Sequence, residues 1–299
     1  MDSRPQAMKE GGLQILQQFL FSSSMPVDPL IIAIEFERPG FITKRFSPCS
    51  DTQAGISVLD TRALNHLPLR KNAIKLETYN FITGSDTYYA TSAKKFLWGT
   101  SEKIPPSKML HCINKPIRRD RDIVLVGHGF AGHLAALSSL GFDFQTSVIG
   151  ILDTANITFE LEMETCTLGR LLGELQCPKS SSRHNAGNDA NFTLRALILL
   201  TIKGYEQQNV DISMVDEERI ARVEALRSLA MRPIPGIRKP KQKRLRKKDI
   251  ARTWSLEKQE EIREERRLKR NTNTASPSGI DEMQPHCERT NIFQGHEPS

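Results

Sequence analysis

The octapeptide LIIAIEFE (Leu30–Glu37) constrains this chain more than any other stretch. Its near-continuous apolar run reads as a strand buried at the centre of a sheet. The run ends in two carboxylates. Residues i and i+2 of a strand share a face, so Glu35 and Glu37 point the same way. Burying two unpaired carboxylates side by side costs several kcal/mol. A divalent cation removes that penalty, and Mg²⁺ accepts one or two carboxylates together with water and phosphate.

The neighbouring patterns surround that strand with an α/β fold. Residues 53–62 (QAGISVLDTR) alternate as a second strand, and residues 73–84 (AIKLETYNFITG) as a third, closed by Gly84. Strands then alternate with helices. PSKMLHCINKPI is a short helix, RDIVLVGH a fourth strand, AGHLAALSSLGF a helix ended by Gly141, and SVIGILDT a fifth strand. TLGRLLGELQC is a helix stopped at Pro178. A further helix leaves HNAGND and runs to about Gln207. Three strands without helical interruption, then alternation, predict a mixed five-stranded sheet flanked by helices. Residues 1–28 read as a lead segment with a short helix over 13–21. Residues 29–210 read as the α/β domain, and 211–230 as an amphipathic helix with Ile220, Val223, Leu226 and Leu229 on one side.

Net charge is confined to the end of the chain. Residues 231–299 carry 17 Lys+Arg against 10 Asp+Glu, and the preceding 230 residues balance at 25 of each. The basic character therefore belongs to a tail, and gives no sign of a basic groove on the body. Within the tail, residues 238–248 (RKPKQKRLRKK) hold eight basic side chains and no acid. That run suits nuclear import, phosphate binding or a solvated linker. A charged helix is expected after it, and disorder over 271–299. The five cysteines are scattered without a CxxC pair, which fits reduced thiols inside a cell. No signal peptide and no apolar run of about 20 residues are visible. The chain is therefore expected in the nucleus or cytoplasm, or both, and not in a membrane.

Four pieces stand at strand or helix ends, where open α/β sheets gather ligands. They are Glu35 and Glu37, His128 and His133 in VGHGFAGH, Asp153 in GILDT, and His184 with Asp189 in HNAGND. Together, IIAIEFE, DIVLVGHGFAGHLAAL, GILDT and RHNAGNDANFTLRALILL resemble the ribonuclease H-like DEDD exonuclease superfamily of DEDDh type. More closely they resemble its fungal branch, the C-terminal domain first named for the "good for full DEAD-box protein" factor. The resemblance spans about residues 29–207. It implies 3′–5′ exonuclease chemistry on RNA or single-stranded DNA. In such enzymes four acidic side chains hold two metal ions about 3.5–4 Å apart, and a histidine takes the proton of the attacking water. Carried over, Glu35, Glu37 and Asp189 would hold Mg²⁺ or Mn²⁺, and His184 would be the general base.

Two positions depart from that pattern. The family's first Asp is Glu35, one methylene longer, and about 1 Å of displacement can cost roughly 100-fold in rate. The family's second-motif Asp is His133. Imidazole is a poor Mg²⁺ ligand and brings no negative charge. The expectation is a nucleic-acid-binding protein of exonuclease fold in which hydrolysis is weakened or lost. The alternatives are an active exonuclease that accommodates His133, and a non-enzymatic adaptor of RNA-handling machinery that meets protein partners through its tail. Asn185 or Asn188 is expected to cap the helix, His128 to pack at a strand end, and Asp153 to organise a loop. Tyr88, Tyr89 and Trp98 either stack bases or pack.

Overall fold

The computed structural model describes residues 5–22, 28–65, 74–164, 167–180, 184–208 and 217–235, with 258, 263 and 264 beyond them. Two compact units divide the chain, Met1–Ile237 and Arg238–Ser299. The basic run, the charged helix and the tail expected to be disordered lie outside the described residues, save those last three positions.

The first unit runs α1 (Gly12–Phe21), β1 (Leu30–Glu37), α2 (Gly40–Arg45), β2 (Thr52–Asp60), β3 (Leu76–Thr83), α3 (Asp86–Ala93) and β4 (Glu102–Lys103). It continues through α4 (Met109–Asn114), β5 (Ile123–Gly127), α5 (Ala131–Leu140), β6 (Val148–Asp153), α6 (Thr154–Glu160), α7 (Leu168–Glu174), α8 (Ala186–Gln208) and α9 (Glu217–Ala230). The sheet order is β4-β3-β2-β1-β5-β6. β1 pairs antiparallel with β2 along its whole length, from Leu30↔Asp60 to Glu37↔Gln53. On its other edge it pairs parallel with β5, but only from Leu30 to Ala33. LIIAIEFE stays buried up to Phe36 because helices cover both faces of the strand.

Among the described residues the sheet has six strands where the sequence pattern predicts five. The sixth, β4, pairs parallel to β3 through Phe81↔Glu102 and Ile82↔Lys103. Two exposed residues cannot display an alternation, so periodicity misses them. The helices α2, α3 and α6 are short for the same test. Two of them carry a capping signal: the Ser85 hydroxyl accepts from Tyr88 N, and the Asp153 carboxylate accepts from Ala155 N. α5 ends, as its pattern predicts, on Gly141 in the left-handed conformation at φ 79°.

The core is split by the sheet. Even-numbered residues of β1 (Ile32, Ile34, Phe36) pack with Met109, Ile113, Leu134 and Leu137 of α4 and α5. The odd-numbered Ile31 and Ala33 face the other layer, built on α8. α8 is apolar almost all round because it is covered all round, by β1, β2 and β3 on one side and by α1, α7 and α9 on others. Leu16 and Leu20 of α1 and Val223, Leu226 and Leu229 of α9 belong to that same layer. Ile220, expected on the buried side of α9, is exposed. Trp98 is also spent on packing, edge-on to Phe192 at 5.1 Å, with the Arg195 guanidinium over its face.

Candidate functional site

Strand alternation carries the odd face of β1 from Ile31 and Ala33 to Glu35 and Glu37, beneath the first turn of α8. That turn lies almost on the backbone of β2. Gly55, opposite Glu35, has no room for a side chain: a Cβ there would stand 1.9 Å from the carbonyl carbon and oxygen of Ala186. On this face the strands beneath carry polar side chains. Gln53 Oε1 accepts from Asn185 Nδ2 (3.1 Å) and Ala186 N (3.3 Å), and Asn80 Oδ1 accepts from Gly187 N (3.0 Å). Asn185 Oδ1 caps the helix through Asn188 N, and its carbonyl takes Asp189 N. The first four amides of α8 are thereby satisfied from within the protein. Asn188, itself buried, ties the helix to the segment after α3, accepting from Leu97 N and donating to Lys95 O.

His184 stands just before this turn, at φ 63° and with its side chain exposed. Its Nδ1 is 3.9 Å from Glu37 Oε1. Asp189, one turn into α8, lies near enough to Glu35 to act on it electrostatically, and Thr193, a turn further on, donates to Glu35 Oε1 at 2.8 Å. His128 N donates to the same oxygen at 3.0 Å. The structure thus gathers Glu35, Glu37, His133, His184 and Asp189 around one end of β1.

His133 takes a specific place among them. Beyond Ala33, β1 has no β5 partner, and the stranded Phe36 N–H donates to His133 Nδ1 at 2.8 Å. That bond consumes the ring's lone pair. Nε2 therefore carries hydrogen, and it faces Glu35 Oε2 at 3.4 Å. The ring offers a cation neither charge nor a free lone pair. Glu35 is 5 % exposed. Burial pushes its carboxyl up to about 8, against the Thr193 hydroxyl, with the Asp189 and Asp153 charges adding to the rise. Burial also holds the His133 imidazole down to about 4. The donors present do not make a four-carboxylate set, and among the described residues no three His, Cys, Asp or Glu form a metal-holding group.

These shifts have opposite consequences for stability in metal-free buffer. The His133 contribution is present above pH 6.5 and is lost as pH falls through about 4. The Glu35 contribution is present below pH 4.5 and is lost as pH rises through about 8. The two slopes oppose each other from pH 4.5 to 6.5, and only the Glu35 slope remains above that. Over the last 1.5 pH units, at ~1.4 kcal/mol each, the protein is expected to lose about 2 kcal/mol. Chemical denaturation at pH 6.5 and 8 checks this, and Glu35→Gln should flatten the difference.

The other strand-end groups are structural supports. Asp153 Oδ1 accepts from Gly129 N and Ala155 N (both 2.9 Å), and its Oδ2 from Phe130 N (2.7 Å). One carboxylate thus ties the β5–α5 turn to the start of α6. Asp153→Ala strands three amides and is expected to cost about 2–4 kcal/mol, read as a lowered denaturation midpoint. His128 Nδ1 meets Thr154 Oγ1 at 2.9 Å, so it is held at a strand end as its position predicts. Gln53, Asn80 and Thr193 escape a motif-based reading. A signal exists for two of them: Gln53, Gly55 and Ser57 interrupt apolar Ala54, Ile56 and Val58, as Thr78 and Asn80 interrupt Tyr79 and Phe81. Elsewhere a cavity of about 820 Å³ opens between residues 5–9, α2 and α5; it reaches Asp153 but none of Glu35, Glu37, His184 or Asp189.

A mixed sheet of this order, with acidic side chains at the end of its central strand beneath the first turn of a long helix, defines a ribonuclease H-like α/β domain of the exonuclease type. The family model for the DNA polymerase III subunit epsilon-like C-terminal domain, a DEDDh family, matches residues 46–200. The chain belongs to that family, and so to the DEDDh exonuclease superfamily. The matched span contains His133, His184 and Asp189 and begins after Glu35 and Glu37. No curated protein matches the chain. Among the described residues no helix is long and apolar enough to cross a membrane.

Proposed function

We propose that this chain is a nucleic-acid-binding member of the DEDDh superfamily, of the fungal branch it resembles, in which metal-dependent phosphodiester hydrolysis is weakened or lost. One observation carries the reading: His133, at the position of a carboxylate ligand, gives its lone pair to Phe36 N–H and sets an N–H against Glu35. The remaining acids, Glu35, Glu37 and Asp189, supply three carboxylates for a reaction that uses four. When bound, Mg²⁺ or Mn²⁺ would polarise the phosphate and activate water; Glu35, Glu37 and Asp189 are the side chains nearest that task, with His184 as base. Residues 231–299 act in this reading as a basic tail that adds non-specific affinity for RNA or single-stranded DNA and a site for protein partners.

An active exonuclease is the second reading, favoured by the exposed His184 standing 3.9 Å from Glu37. End-labelled single-stranded RNA and DNA, incubated with the full chain in Mg²⁺ or Mn²⁺, separate the two. The first reading expects binding without trimming beyond that of an Asp189→Ala control. Trimming that disappears in the control establishes the second, and absence of both binding and trimming sinks both.

A further inference from the structure

We infer that Arg38 and Tyr88 form the nucleic-acid contact on the rim of this site, Arg38 taking a backbone phosphate and Tyr88 the adjoining base of a single strand. The inference rests on the nucleic-acid-binding reading above and names the residues that serve it. Arg38 directly follows Glu37 and is exposed. It holds φ 57°, a left-handed conformation that an L side chain seldom adopts. Its guanidinium lies 5.2 Å from the centroid of the Tyr88 ring, and among the described residues it makes no ion pair. Tyr88 is in turn fixed from below: its hydroxyl accepts from Gln53 Nε2 at 3.1 Å. Gln53 is the residue that holds Asn185 and Ala186, immediately after His184. A chain of hydrogen bonds therefore sets the Tyr88 ring relative to the turn that presents His184.

The chemistry of the pair fits a single strand. A guanidinium spread over an aromatic face offers a planar phosphate donor beside a surface on which a base can stack. The carboxylates of Glu37 and Asp189 repel a polyanion, so a cation is needed beside them. The first turn of α8 does not supply the phosphate contact, because Gln53, Asn80 and Asn185 already take its amides. That leaves the task to side chains on the rim.

Fluorescence anisotropy on the full chain tests this with two probes, a labelled single-stranded U12 RNA and an abasic strand of the same length. The basic tail meets the same phosphates in both, so the ratio of the two affinities reads stacking alone. Tyr88→Leu is expected to lower that ratio roughly tenfold, and Tyr88→Phe, which keeps the ring and loses only the Gln53 bond, to lower it far less. Arg38→Gly is expected to weaken both probes roughly tenfold and to reduce the salt slope by about one contact. Glycine suits φ 57°, so the same variant should match or exceed the wild-type melting temperature, which separates lost contact from lost fold. Wild-type binding that neither Arg38→Gly nor Tyr88→Leu alters overturns the inference and leaves the nucleic-acid reading standing. A wild-type chain that binds neither probe overturns that reading, and the inference with it.

Discussion

Metal-dependent trimming of single-stranded RNA or DNA is expected to rise by roughly two orders of magnitude or more when Glu35→Asp and His133→Asp are combined. The first change draws the carboxylate back by one methylene toward the strand. The second removes the ring that faces Glu35 Oε2 and puts a charged oxygen ligand in its place. Neither alone should suffice. Asp at 35 still faces an N–H from His133, and Asp at 133 still meets the longer Glu35. The gain should therefore exceed the product of the single effects, as expected for residues acting as one unit. The substitution has a structural cost, because Phe36 N–H loses the Nδ1 acceptor. A stranded buried amide costs about 1–3 kcal/mol, so melting temperatures must accompany the rates. A folded double variant that binds nucleic acid yet trims no faster than wild type would falsify the degenerate-site reading and favour the adaptor.

Gly55→Ala is expected to cost about 3 kcal/mol or more, a larger effect than any surface substitution in this chain. The added methyl would lie 1.9 Å from main-chain atoms of Ala186, and backbone cannot swing aside as a flexible side chain can. Relief requires the first turn of α8 to lift off β2. That motion strains the bonds from Gln53 and Asn80 to Asn185, Ala186 and Gly187 together. It also carries His184 away from Glu37. A drop of about 6–12 °C in melting temperature is expected for a body of this size, together with loss of whatever binding or trimming the site supports. Gly150→Ala in β6 is the control, since its nearest neighbour, Val124, is at 3.8 Å. That variant should melt within about 2 °C of wild type. Equal melting temperatures for the two variants would show that α8 is not seated on Gly55.

Much of this arrangement is legible in the chain itself. LIIAIEFE determines a central strand with Glu35 and Glu37 on one face, because the pleat has a period of two and an apolar run must be buried. HNAGND before a long apolar stretch determines a capped helix start, and the structure assigns the cap to Asn185. The five longer strands follow from apolar runs and alternation; β4 does not, because two exposed residues have no pattern. What no local pattern holds is who meets whom. That Phe36 N–H is left over depends on β5 pairing with β1 only as far as Ala33, a matter of strand length and register in three dimensions. His133 is 97 residues away from that amide, and its role follows from the amide's need for an acceptor. Sequence determined which side chains could build a site at the end of β1. Only the tertiary structure decided that one of them would spend its lone pair on the backbone, because hydrogen-bond satisfaction in a buried sheet is settled across the whole fold.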